Sequence, residues 1–336
     1  MIDDIKKTLW AAFTVLAILV LGGLPQQASA EITARCVLKK PLDGYQVGQT
    51  VTEEFNSNSP STFHRWDEFC QLRPFSFDIS GAIDTQLEES FRHLYNRLRR
   101  DTIFQSEKAN YATIQFNLNS EGGNVENAIR IGRMLRDLNA WTVVNGIHKC
   151  SSSCVFLLVG GVDRNVWGRV GVHRPYFESL DRRRTQAQVS ADIRALDAMI
   201  TTYLRDMNIT SNLLDFMKGV ASNEMRWLSD SDLQTFGLSA PDPVFDELKT
   251  AHDAWIYGTT SATLRQRRVA SEQCYRGSGT SNERPDSIDC RQATLYGIRV
   301  DELRLRRQRV ANLCPGMSYR WAAADCVRDV MIGSRR

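Results

Sequence analysis

Apolar and polar side chains alternate from Phe75 to Gly81 (FSFDISG), and again at Ile114, Phe116 and Leu118, the two-residue period of a strand with one buried face. Between these stretches, around Leu87 to Leu98, the period lengthens to that of an amphipathic helix. The second strand runs into Gly122-Gly123, which opens a helix with an apolar stripe of Val125, Ala128, Ile129, Gly132 and Leu135. WTVVNGI at 141–147 predicts a third strand. The next segment, VFLLV at 155–159, is apolar on every side and bounded by Gly160 and Gly161, so a buried helix is expected there. VDRNVWG reads as a turn into a fourth strand, RVGVH, which ends at His173.

Strand, helix, strand, helix, strand in this order predicts an α/β core: a largely parallel sheet with right-handed crossovers and helices on both faces. In such sheets ligands gather beyond the carboxyl ends of the strands. Three loops are expected to converge there: Asn119–Gly123, Lys149–Ser153 and His173–Pro175. The predicted organisation is an N-terminal extension at 31–75, interrupted by an Asn/Ser/Pro loop at 56–60, then the α/β domain at 76–245 and a helical region at 251–336. That last region repeats itself. RQRRVASEQC ahead of SIDCRQATLYGI is echoed by RRQRVANLC ahead of AADCVRDVMIG, which predicts two helical hairpins.

The first thirty residues alter the picture of where this chain works. Lys6 and Lys7 precede an apolar stretch from Leu9 to Leu24, and Ala28-Ser29-Ala30 supplies small residues before Glu31. This is the pattern of a cleaved secretory signal, too short for a permanent span of ~20 apolar residues, so the mature chain is expected to start near Glu31 in the periplasm or outside the cell. Export makes disulfides the default use of the eight cysteines. The segmentation favours local pairs: Cys36 with Cys70, Cys150 with Cys154, Cys274 with Cys290, and Cys314 with Cys326. Export also removes ATP and coenzyme A as expected partners. The formal charge is +3, and residues 251–336 hold fifteen Arg and no Lys against nine acidic residues. That region is read as a docking module for an anionic envelope surface or a protein, or as Arg on solvated helix faces; nucleic acid is not expected as a partner.

The three loops carry the parts that acyl transfer needs: a nucleophile, a base and amide donors for an oxyanion. KCSSSC at 149–154 places three hydroxyls just ahead of the buried helix, His173 supplies an imidazole of the kind that serves as a general base, and Gly122-Gly123 brings bare backbone amides close to a bound carbonyl. Each element has a plainer reading: a serine N-cap cluster, a buried histidine satisfied by a carbonyl, an ordinary strand-to-helix turn. Zinc held by His148, Cys150, Cys154 and His173 is the sharper rival. Structural zinc sites usually show Cys-x-x-Cys spacing, which this stretch lacks, and an oxidising compartment favours disulfides. No metal or cofactor is expected.

At these residues the chain resembles the proteolytic subunit of the Clp proteases, within the Clp/crotonase fold. Asn119-Ser120-Glu121-Gly122-Gly123 stands where that family has Asn-Ser-Pro-Gly-Gly, and Phe156-Leu157-Leu158 sets the register of its Ala-Ser-Met-Gly-Ala-Phe-Leu-Leu. Gly171-Val172-His173-Arg174-Pro175 matches its Met-Ile-His-Gln-Pro, and WLSDSDLQTFGL at 227–238 resembles its closing motif. The resemblance, over about residues 76–240, implies Ser152 as nucleophile, His173 as base and the N–H groups of Gly123 and Ser153 as oxyanion hole. It also implies a peptide or protein substrate and a homo-oligomer. Two positions depart from the pattern. The family's third catalytic residue, an Asp, falls at Ala221, where Ser222, Asn223 and Glu224 are neighbours able to orient His173; Asn223 is taken for that role. Cys154 replaces a family glycine beside the expected oxyanion hole. The expectation is an ATP-independent serine peptidase with a non-catalytic scaffold on the same fold as the alternative; crotonase-type acyl-CoA chemistry lacks its cofactor in this compartment.

Overall fold

The computed structural model describes residues 31–37, 50–55, 75–100, 114–176, 184–275, 285–314 and 322–334. The leader and the expected Cys36–Cys70 pairing fall outside the described residues. The chain divides into two compact units, the second running from Pro241 onward.

The first unit holds β1 (Glu31–Val37), β2 (Thr50–Phe55), β3 (Phe75–Ile83), α1 (Thr85–Arg100), β4 (Ile114–Gly123), α2 (Val125–Asp137), β5 (Trp141–Val144) and β6 (Lys149–Ser151). It continues with α3 (Cys154–Gly160), β7 (Asp163–Val166), β8 (Arg169–Val172), α4 (Gln186–Asp206), α5 (Asn212–Lys218), β9 (Arg226–Trp227) and α6 (Asp230–Thr235). Strands β3, β4, β5 and β7 pair in parallel, and β4 pairs a second time, further along, with β6 and through it with β8. The predicted strand at 141–147 thus stops at Val144, and the expected loop at 149–153 opens with a separate strand, β6, in a different ladder.

Two stretches that sequence reading passed over are strands. Residues 31–37 and 50–55 form an antiparallel pair, and β1 continues the sheet beside β3. Residues 163–166, predicted as a turn, pair with β5 in register Trp141↔Asp163 to Val144↔Val166. Arg164 hides that strand from any hydropathy argument: it is only 2% exposed, with its guanidinium donating to the carbonyls of Gly161 and Gly237.

Helices were expected on both faces. Instead α1 packs on α2 and α2 on α3, so the sheet cannot lie between them. They cover the face lined by Phe77, Ile79, Phe116 and Leu118, where Phe91 of α1 meets Phe116. Strand order advances one way from β3 to β7, and right-handed crossovers then deliver every connecting helix to one side. The opposite face of β3 and β4 is polar: Asn117 donates to Ser76 Oγ at 3.0 Å and Asp78 Oδ1 at 2.8 Å. Helix α3 is buried along its whole length, as its sequence predicts. It meets α2 closely because neither carries a side chain at the crossing; a Cβ on Gly160 would sit 2.5 Å from the Gly132 carbonyl oxygen. Tyr203 of α4 closes this packing, donating to the Phe156 carbonyl at 2.5 Å, and burial pushes its hydroxyl pKa well above the ordinary tyrosine range.

The second unit contains α7 (Pro243–Ile256), α8 (Ser261–Ser271) with a short 3-10 turn (Glu272–Tyr275), α9 (Pro285–Tyr296), α10 (Val300–Leu313) and α11 (Ala322–Met331). Cys274–Cys290 links α8 to α9, and Cys314–Cys326 links α10 to α11. The repeat starts one helix earlier than the cysteine echo suggests, because residues offset by 39 positions do the same work: Leu264 and Leu303 are each fully buried, and Gly258 and Gly297 both turn at positive φ. Arg267 donates to the Leu295 carbonyl at the end of α9, and Arg306 to the Met331 carbonyl at the end of α11. Arg268 binds Thr250 and Asp253, while Arg307 binds Asp289 and Gln292 at the offset positions. Arg304 and Arg307 hold the Asp289 carboxyl below the usual carboxylate range.

Candidate active site

Strands β4, β6 and β8 lie side by side and run the same way, with Ser120 opposite Cys150 and Ser151 opposite Gly171. Their ends therefore open on one edge, and the loops carrying Gly122-Gly123, Ser152 and His173 are neighbours there. Ser120 secures the first loop: its hydroxyl donates to the Gly81 carbonyl at 2.6 Å and accepts the Gly122 N–H at 3.1 Å. An ion pair between Glu121 and Lys149 ties that loop to the next.

Ser152 sits at the corner between β6 and α3 with φ 56°, a left-handed conformation that costs a non-glycine residue about 1–2 kcal/mol. Its N–H donates to the Gly171 carbonyl at 2.9 Å, and Cys150 and Cys154, both buried, are joined across the corner with Cα atoms 5.2 Å apart. Sulfurs bonded to each other are not zinc ligands, so the four-ligand alternative loses half its set. Gly122, at φ 101°, lies against this corner: a Cβ there would be 2.7 Å from Ser152 Cβ and 3.0 Å from the Ser153 nitrogen. Gly123 instead backs onto β3, its absent Cβ directed 2.4 Å from the Ile83 carbonyl oxygen.

The three hydroxyls differ in access. Ser151 and Ser153 are buried and Ser152 is half-buried. Ser153 occupies the N-cap position of α3 without capping it, and its Oγ is buried without a partner. Among the described residues its backbone N–H meets no acceptor either. The serine cluster is therefore not a helix cap.

His173, one residue past β8, is 8% exposed, and its Nδ1 lies 2.9 Å from the Arg174 carbonyl oxygen. The Tyr176 ring stands 5.6 Å away. No hydrogen bond joins Ser152 to His173 among the described residues. No family model matches this chain, and no curated protein does. Among solved structures it is similar to an asparagine-to-aspartate mutant of ClpP1 from Listeria monocytogenes, at 17% identity over 47% of this chain and 84% of that one, with a TM-score of 0.34.

Asn223 stands exposed on the turn that follows Val220, with Ser222 and Glu224 exposed beside it, and none of them is hydrogen-bonded to His173. The geometry gives the ring's Nδ1 to Arg174 instead. Sequence reading passed over Arg174; its signal was the following Pro175, which restricts the backbone of the residue before it.

Proposed function

We propose that this chain is an exported, ATP-independent serine hydrolase acting on peptide or protein substrates, with Ser152 as nucleophile and His173 as general base. Ser152 attacks the substrate carbonyl while its proton passes to His173 Nε2; the amides of Ser153 and Gly123 are the candidate donors to the oxyanion. One observation carries the reading: a serine held at φ 56° on a strand-to-helix corner, pressed by the bare backbone of Gly122. Nucleophiles are commonly displayed on such strained corners, because the turn lifts the hydroxyl clear of the sheet. The disulfides at Cys150–Cys154, Cys274–Cys290 and Cys314–Cys326 fit an oxidising compartment.

A second reading, a binding scaffold without catalysis, draws on the lack of a Ser152–His173 hydrogen bond and of an acid at Ala221. Treating the mature protein with a fluorophosphonate probe separates the two. Wild type is expected to label, Ser152→Ala not at all, and His173→Ala at a rate lower by about 10²-fold or more. A wild type that does not label, or label that persists in Ser152→Ala, overturns the hydrolase.

A further inference from the structure

We infer that Arg174 is the positioning residue for His173, and that its own backbone carbonyl does the orienting work of a third catalytic group. The inference rests on His173 being the base. A carbonyl oxygen can only accept, so the His173 ring nitrogen 2.9 Å from Arg174 O is the protonated one. In the neutral ring the lone pair is then left on Nε2, the nitrogen that must take a proton from a nucleophile.

Three features fix the direction of that carbonyl. The Arg174 N–H donates to the Val220 carbonyl at 3.0 Å. Its Nε donates to the Lys218 carbonyl, also at 3.0 Å. Lys218 is the last residue of α5, where helix carbonyls have no donor of their own and stand ready for an outside partner, and Val220 lies just past its C-cap, Gly219. Pro175 confines Arg174 to extended ψ, and ψ sets where the carbonyl points. The carbonyl thus selects the tautomer and holds the ring, while supplying no negative charge to the imidazolium. Converting an orienting Asp to Asn costs ~10⁴ in rate chiefly by imposing the wrong tautomer. A carbonyl escapes that penalty, so a pair with no acid beside it can be slow yet competent.

The test reads the tautomer directly. In protein labelled with ¹⁵N-histidine, with the His173 signals assigned through His173→Gln, long-range ¹H–¹⁵N correlation is expected to show the neutral ring protonated at Nδ1. A ring protonated at Nε2 overturns the inference without any variant having to fold. Arg174→Ala should convert His173 to a tautomer mixture and slow fluorophosphonate labelling about tenfold, the worth of one neutral hydrogen bond. Arg174→Lys, which keeps a charged donor on a side chain of similar length, should recover part of both, and Asn223→Ala should change neither. An Arg174→Ala protein with wild-type tautomer and labelling rate sinks the idea, as does loss of the tautomer in Asn223→Ala. Where wild type fails to label, the hydrolase reading falls and the tautomer alone decides this one.

Discussion

The two units of this chain keep their shape by opposite means. In the first, order comes from far along the sequence: β4 is held by β3, β5 and β6 at once, and α3 sinks fully into the core they build. In the second, each helix leans on the next, the described buried cluster of Ala293, Leu303 and Met331 is small, with Ala254, Leu264 and Val330 buried besides, and disulfides and arginine forks fasten the seams. A small core leaves cross-links and local polar ties to make up the difference. The contrast also says where the arginines of the tail are used. Arg267, Arg268, Arg304, Arg306 and Arg307 bind helix ends and side chains of their own unit.

Removing packing should strike the first unit alone. Phe156→Ala deletes a fully buried ring from α3, and a cost of about 3–5 kcal/mol is expected. Hydrogen exchange read by segment should speed up in β3, β4 and α2 and leave α8–α11 unchanged. Equal acceleration in both units would show that they do not have separate stabilities. Removing a fastener should do the reverse. Cys274→Ala with Cys290→Ala opens a loop of sequence separation 16, worth about 3 kcal/mol by the entropy of the unfolded chain. Thermal melting followed in the second unit should shift down while fluorophosphonate labelling of the first stays as it was. An unchanged melt would mean that the arginine forks suffice.

The same contrast governed how much could be read from the sequence. Where one face of an element is apolar and the other polar, as in β3, α1, β4 and α2, the period declared the element, and the convergence of Gly122, Ser152 and His173 followed from strand order. What escaped were cases in which burial and hydropathy part company. Arg164 is among the most buried large side chains in the protein and made β7 look like a turn. That the predicted strand ends at Val144 and a new one begins at Lys149 depends on which neighbour each pairs with, and a single strand's pattern does not carry that. Helices on both faces were expected because βαβ order does not reveal whether strand order reverses; here it advances from β3 to β7 without reversal. In the tail, the cysteine echo marked the repeat, but α7 lacks the cysteine and joined it only through Thr250, Asp253 and Gly258. At the site, residue types chose Ser152 and His173. The group beside the ring is a main-chain oxygen, which no residue type announces.

The smallest effect is the most informative about function. In the second unit the left-handed corners at Gly258, Gly297 and Gly333 are glycines, residues that take that conformation without strain. In the first unit the described non-glycine residues at positive φ are Asn139, Asn208 and Ser152. Asparagine is enriched there because its short amide bonds locally, whereas serine has no such excuse. Folding alone would favour glycine at 152, so a serine there is kept at the expense of stability. Ser152→Gly is therefore expected to raise the stability of the first unit by about 1 kcal/mol, read as a small upward shift in its melting temperature, while abolishing labelling. Ser152→Ala, which keeps the Cβ and the strain, should abolish labelling with no gain. If the glycine variant melts at or below the wild-type temperature, the corner is unstrained, and the proposal that Ser152 is displayed there as a nucleophile loses its best support.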